Sequence, residues 1–265
     1  MSDNTRPPLL EAQDITVRFG GLVAVDAVSA RFQAGELVGI IGPNGAGKTT
    51  FFNAISGVTE PTSGRLLVQG RNLTGRGPHR FAANGLARTF QTPRVFPDMP
   101  VQSNIEFGLK FAGKRPRKYV FWGDEKDVPW ALRDAAGILR LIGLSDQAAL
   151  PAGAITPSQQ RLLEIGMALA TRPRLLLLDE VLAGLNPQEV AEMIPVVRAI
   201  VDDGVTVLMI EHVMQAVMNL AAHVWVLAQG RLIASGTPSQ VTHDATVIEA
   251  YLGHGTAARL RGAHA

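Results

Sequence analysis

Cysteine is absent from the 265 residues. That excludes disulfides, thiolate metal sites and thiol nucleophiles, and agrees with a reducing compartment. Long hydrophobic runs are absent too. No stretch approaches the roughly 20 consecutive apolar residues that a membrane-spanning helix needs, so a soluble chain is expected. The opening "MSDNTRPPLLEAQD" carries neither a basic region nor an apolar segment behind it, and no secretory signal is read there. Charge of one sign is scarce: 25 Lys and Arg against 23 Asp and Glu leave a formal net charge of +2, too little to argue for a nucleic-acid partner. What remains, 46% hydrophobic and 18% charged residues, is the composition of a globular chain long enough for one large domain.

Residues 9 to 33 alternate apolar and polar side chains on either side of Gly20-Gly21, a pattern of antiparallel strands with a tight turn. "ELVGII", 36 to 41, is a continuous apolar run suited to a buried parallel strand, and a helix beginning near Lys48 follows its glycine-rich end. Another strand is expected in "GRLLVQG". Residues 92 to 170 turn helical, with Ser103 and Glu106 read as a Ser-x-x-Glu cap and a second helical run at "WALRDAAGILRLIGL", so a helical insertion is expected. Within it lies "KRPRKYVFWGDEKD", 114 to 127, basic, then aromatic, then acidic. Strands and helices alternate again from "RLLLLDE" through "VTVLMI" and "HVWVLA" to a turn at Gln229-Gly230, implying a largely parallel sheet. The helix after Asn186 has a proline at its first position and Glu189 to close a capping box, and "GTPSQV" repeats the device with Thr237 and Gln240. The fold class is therefore α/β. Residues 1–8 and 254–265 read as loose ends around a domain at 9–253.

"GPNGAGKT" fits the phosphate-loop pattern G-x-x-x-x-G-K-[ST], with an apolar strand before it and a helix after it. Gly42, Pro43, Asn44, Gly45, Ala46 and Gly47 can curl the backbone so that successive N–H groups point at phosphates. Lys48 adds a point charge, and Thr49, followed by Thr50, can ligate Mg²⁺. "LLLLDE" adds the complementary acids: Asp179 to hold the metal through water, and Glu180 to orient or deprotonate an attacking water. A nucleoside triphosphate such as ATP and Mg²⁺ are the expected ligands, with the γ-phosphoryl group passing to water or, as in a P-loop kinase, to another acceptor.

The order of "GPNGAGKTT", "RTFQ", "SQQR", "LLLLDE", "AGLNP" and "IEHVM" resembles that of an ATP-binding-cassette ATPase. More narrowly, "VRFGGLVAVDAVS", "LARTFQTPRVFPDMPVQSNI", "LLLLDEVLAGLNP" and "VIEAYLG" resemble the longer of the two ATPases of branched-chain amino acid importers. The resemblance implies a P-loop NTPase core with an N-terminal antiparallel β-subdomain and an inserted helical subdomain. It implies that Phe19 stacks on adenine, that Gln91 touches magnesium and reports to the membrane subunits, and that His212 senses the γ-phosphate. It also implies that Gly184, Leu185 and Asn186 cross a dimer interface. The implied partners are a second ATPase subunit, as a heterodimer or a homodimer, two transmembrane permeases and, indirectly, a periplasmic solute-binding protein. The implied location is the cytoplasmic face of the inner membrane. Urea or amides are alternative cargoes, and an ABC ATPase acting on nucleic acid or ribosomes is a more distant alternative.

The family signature resembling Leu-Ser-Gly-Gly-Gln falls on "ITPSQ", and here the sequence departs from it. Thr156 can cap a helix, Pro157 suits its first position and Gln159 can complete a capping box, so the helix is preserved. Pro157 has no N–H for a phosphate, however, and Ser158 adds a side chain where glycine permits close approach. The expectation is an asymmetric ATPase pair.

Overall fold

The computed structural model describes residues 8–113 and 128–252, so the segment "KRPRKYVFWGDEKD" and both chain ends lie outside the described residues. The chain gathers into two compact units, one holding residues up to 33, 37–78 and from 210 onward, the other 34–36 and 79–209.

The first unit contains β1 (Leu10–Phe19), β2 (Leu22–Phe32), β3 (Leu37–Ile41), α1 (Lys48–Ile55), β4 (Ser63–Val68) and β5 (Arg71–Asn72). Alternation along β1 and β2 matches their antiparallel pairing, with Phe19 opposite Leu22 across Gly20-Gly21. β1 also pairs antiparallel with β4, giving a sheet of order β2-β1-β4-β5. β3 is buried at every position, as its unbroken apolar run requires.

The second unit contains α2 (Pro78–Ala83), whose first residue falls at the boundary, β6 (Leu86–Arg88), α3 (Val101–Gly113), α4 (Ala135–Leu141), α5 (Pro157–Ala170), β7 (Leu175–Asp179), α6 (Pro187–Asp202) and β8 (Thr206–Ile210). β6 and β7 run parallel, with Arg88 opposite Leu177. α3, α4 and α5 close around Gly166, where an added Cβ would meet Ile142 at 2.6 Å and Ile138 and Ile105 at 3.3 and 3.4 Å. The absent side chain lets these helices interdigitate.

The first unit resumes with α7 (Met214–Leu220), β9 (His223–Ala228), β10 (Arg231–Gly236), α8 (Pro238–His243) and α9 (Ala245–Leu252). β9 is parallel to β3 and antiparallel to β10, and the β9–β10 connection at Gln229-Gly230 has positive φ at both residues, 49° and 79°. Paired positive φ at two central residues is what a two-residue hairpin turn demands. The Phe32 and Trp225 rings pack 4.3 Å apart, between β2 and β9.

Two sequence expectations are corrected. Ser103 and Glu106 do not cap a helix: α3 begins at Val101, so both sit inside it. Its first N–H groups are satisfied by backbone instead, Val101 donating to the Leu150 carbonyl and Gln102 to that of Ala148, and this removes the need for a side-chain cap. The run "WALRDAAGILRLIGL" is not one helix either. A short 3-10 turn at Trp130–Leu132 precedes α4, whose cap is Asp134, its carboxylate accepting from the Gly137 N–H at 2.7 Å. Asp134 competes with the backbone and breaks the run. The other three caps hold: Thr156, Asn186 and Thr237 each form a full capping box.

Candidate nucleotide site

In the first unit, buried β3 delivers the chain into the phosphate loop. Gly42 has φ 151°, and a Cβ there would lie 2.0 Å from the Leu227 carbonyl oxygen. A Cβ on Gly47, at φ 94°, would lie 2.3 Å from that of Ala24. Only glycine satisfies both the backbone angle and the close approach. The loop is braced from outside, the Gly230 N–H donating to the Ala46 carbonyl at 3.0 Å and the Asp26 N–H to the Gly230 carbonyl at 2.8 Å. Arg231 then pairs with Asp26 at 2.6 Å. The turn at Gln229-Gly230 thus holds the loop in shape.

Lys48 is 5% exposed, and its ammonium donates to the loop's own Gly42 and Pro43 carbonyls at 2.7 and 3.0 Å. α1 starts here, and its Gly47 cap makes no side-chain hydrogen bond. A buried cation and an uncapped helix start favour an anion in the loop. Asn44, Gly45 and Thr49 are exposed, Pro43, Gly47 and Thr50 half-buried, and Ala46 buried. Phe19 is 53% exposed at the end of β1, and His212 is exposed, directly after buried Glu211. The sequence reading gave no site role to Tyr251 on α9. Burial pushes its phenol up, opposed by a hydrogen bond with the Gly42 backbone.

In the second unit, the four residues of "RTFQ" each engage a different group. Arg88 Nη2 pairs with Asp179 Oδ2 at 2.7 Å, both side chains nearly buried. Thr89, fully buried, accepts from the Asp179 N–H at 3.2 Å. The Phe90 N–H donates to Glu164 Oε1 at 3.2 Å, and Gln91 Nε2 donates to Glu180 Oε2 at 3.0 Å. Asp179 therefore sits buried at the end of β7, while Glu180 takes φ 51°, a left-handed angle that turns the chain away from the strand. Arg161 on α5 donates to the Glu180 and Val181 carbonyls at 3.1 and 2.9 Å. Burial pushes the Glu164 carboxyl up to about 7, opposed by the N–H groups of Arg94 and Phe90 and by the charges of Arg161 and Arg94.

At the start of α5, Thr156 Oγ1 accepts from the Gln159 N–H at 3.2 Å and Gln159 Oε1 from the Thr156 N–H at 3.0 Å, with Ser158 Oγ 2.9 Å from the Thr156 hydroxyl. Gly184 is exposed at φ 76° and Leu185 half-buried. Asn186 is committed to capping α6 through the Gln188 and Glu189 N–H groups at 2.9 and 3.0 Å. Sequence reasoning took Gln91 from "RTFQ" and missed Arg88, Thr89, Arg161 and Glu164. No local signal marks them, because their partners are distant in sequence.

A family model described as "ABC transporter" matches residues 25–183. The chain belongs to the ABC transporter family. A second model, "Branched-chain amino acid ATP-binding cassette transporter", matches residues 231–257 of this cassette. The cassette is 39% identical over 253 residues to the high-affinity branched-chain amino acid transport ATP-binding protein BraF of Pseudomonas aeruginosa, covering 93% of this chain and 98% of that one. It is 38% identical, with the same coverage, to LivG of Escherichia coli K12, named for the same transport. Among solved structures it resembles an ABC-transporter ATP-binding cassette in its ADP conformation, with TM-score 0.78 and 32% identity, covering 93% of this chain and 99% of that one. The cassette has the α/β fold of a P-loop NTPase and is an ATPase coupled to transport, with membrane permeases as partners. No helix among the described residues is long and apolar enough to cross a membrane.

The residues present fit ATP: Gly42 and Gly47 have no room for a Cβ, so the backbone itself lines the phosphate loop there, and Lys48 offers its charge. For a divalent cation, no group of three or more His, Asp or Glu side chains that could hold a metal occurs among the described residues. Magnesium is commonly held by one or two carboxylates together with substrate phosphates and water rather than by a protein cage, and the buried carboxylate of Asp179 is a donor of that kind.

Proposed function

We propose that this chain is the ATP-binding and hydrolysing subunit of an importer for branched-chain amino acids, working at the cytoplasmic face of the inner membrane. The observation that carries the chemistry is the glycine-enforced phosphate loop closed on Lys48 in the first unit; in the second unit β7 ends in Asp179, and Glu180 follows it in sequence. The cargo assignment rests on the names of BraF and LivG and on the match at residues 231–257. In this reading Lys48 and Thr49 hold the phosphates and Mg²⁺, Asp179 and Gln91 serve the metal, and Glu180 activates water. His212 reads the γ-phosphate and Phe19 stacks on the base. Magnesium, when bound, spreads the charge developing on the phosphoryl group. The helices α3, α4 and α5 carry the closing motion to two permeases fed by a periplasmic binding protein.

The chain works with a second ATPase subunit, through Gly184, Leu185 and Asn186, in an asymmetric pair. The support is at α5: Pro157 has no N–H, and the Gln159 N–H is already taken by Thr156. A hydrogen bond to a charged group contributes about 1.5–3 kcal/mol, so an impoverished signature weakens the partner's ATP site roughly tenfold to hundredfold. The test is transport of leucine, isoleucine and valine into vesicles bearing the assembled complex, with urea and amides as competing cargoes. Glu180→Gln is introduced here or at the corresponding position of the partner. The reading expects branched-chain uptake and a larger loss from the change in this chain. Uptake of another solute overturns the cargo, and equal losses overturn the asymmetry.

A further inference from the structure

Beyond these roles, α5 carries two charged side chains, one turn apart on the same face, that no part of the ATPase reading uses. Arg161 ties the carbonyls of Glu180 and Val181, and Glu164 Oε1 receives the N–H groups of Phe90 and Arg94, the two sides of the loop that presents Gln91. Gln91 closes the circuit on Glu180 at 3.0 Å.

We propose that Arg161 and Glu164 are positioning residues that make the signature helix a strut, fixing Glu180 and the Gln91 loop to the same rigid element. The geometry argues against simple packing. Glu164 is 5% exposed and lies between buried Leu163 and Ile165, where an apolar side chain would avoid the cost of burying a carboxyl. Its acceptor oxygen is spent on two backbone donors of an otherwise irregular loop, and the Arg161 guanidinium is spent on backbone that itself holds a left-handed glutamate. The start of the helix, at Thr156 to Gln159, is stiffened by its capping box. What the partner subunit does at that helix end therefore reaches Glu180 and Gln91 without a flexible joint between them.

The inference rests on the reading of Glu180 and Gln91 given above, so its test includes a control for that reading. In the assembled transporter, kcat and KM for ATP are measured for Glu164→Gln, Glu164→Leu, Arg161→Met and Glu180→Gln, with the affinity for a fluorescent ATP analogue as a check on folding. Displacing a reacting group by about 1 Å can lower a rate up to about a hundredfold. Glu164→Leu and Arg161→Met are therefore expected to lower kcat at least about tenfold while KM and analogue affinity stay within about twofold. Glu164→Gln, whose Oε1 can accept both N–H groups, is expected to keep kcat within about threefold of the parent. Parent-like kcat in Glu164→Leu and Arg161→Met, or a loss in Glu164→Gln equal to that in Glu164→Leu, overturns the strut. If Glu164→Leu does not fold, the Arg161→Met and Glu164→Gln results decide. Unchanged turnover in Glu180→Gln overturns the site reading instead.

Discussion

Replacing Glu164 by glutamine removes a titration that the fold distorts, and the effect on stability has a definite sign. Burial raises this carboxyl from 4.5 to about 7, against the opposing Arg94 and Phe90 N–H groups and the charges of Arg161 on its own helix and Arg94 on the facing loop. Because the folded value lies above the unfolded one, the native chain holds a proton that the unfolded chain has already released. Its contribution is therefore fully present below 4.5 and is lost as pH rises through about 7. At about 1.4 kcal/mol per pH unit, this window corresponds to on the order of 3 kcal/mol. The assay is urea denaturation of the purified protein at pH 5, 6, 7 and 8, parent against Glu164→Gln. The parent is expected to lose more stability than the variant between pH 5 and 8, by on the order of 2–3 kcal/mol, with similar denaturant slopes. Parallel stability profiles would refute the reasoning, because they would mean that Glu164 is not held in a desolvated site.

Three further outcomes follow from individual contacts. Arg88→Met strips Asp179 of its buried partner and is expected to cost about 3–5 kcal/mol, read as a lowered urea midpoint. An unchanged midpoint would mean that the pair is solvated. Thr156→Ala removes the cap of α5 and is expected to cost about 1 kcal/mol in the same assay, with Thr156→Ser nearly neutral. Equal losses in the two variants would deny the hydroxyl its role. Gly42→Ala sets a Cβ against the Leu227 carbonyl, for about 1–3 kcal/mol of overpacking. Its ATP affinity, measured by calorimetry, should fall well below the parent's, and parent-like binding would show that the loop can rearrange.

The parts of this cassette that sequence patterns reveal are those where one residue type has one physical use. Continuous apolar runs became buried β3 and β7, and Asn186-Pro187 and Thr237-Pro238 became capped helix starts, because a short polar side chain followed by proline has few other places to be. The phosphate loop was legible for the same reason: only glycine tolerates the approach at Gly42 and Gly47. The cap expected at Ser103 failed because backbone carbonyls from Ala148 and Leu150, distant in sequence, already served the first turn of α3. β6 went unseen because three residues are too short to show a period. Arg88, Arg161 and Glu164 were invisible because their partners lie 91, 19 and 74 residues away, and nothing local marks a charge that will be buried.

The central claim is that the loop from Gly42 to Thr49 grips a triphosphate through Lys48. It is tested most directly by equilibrium binding of Mg-ATP to the purified chain and to its Lys48→Ala variant, with circular dichroism to show that both are folded. The expected result is saturable binding by the parent and an affinity at least about tenfold weaker in the variant, since a hydrogen bond to a charged group contributes about 1.5–3 kcal/mol. Equal affinities in two folded proteins, or no binding by either, would contradict it.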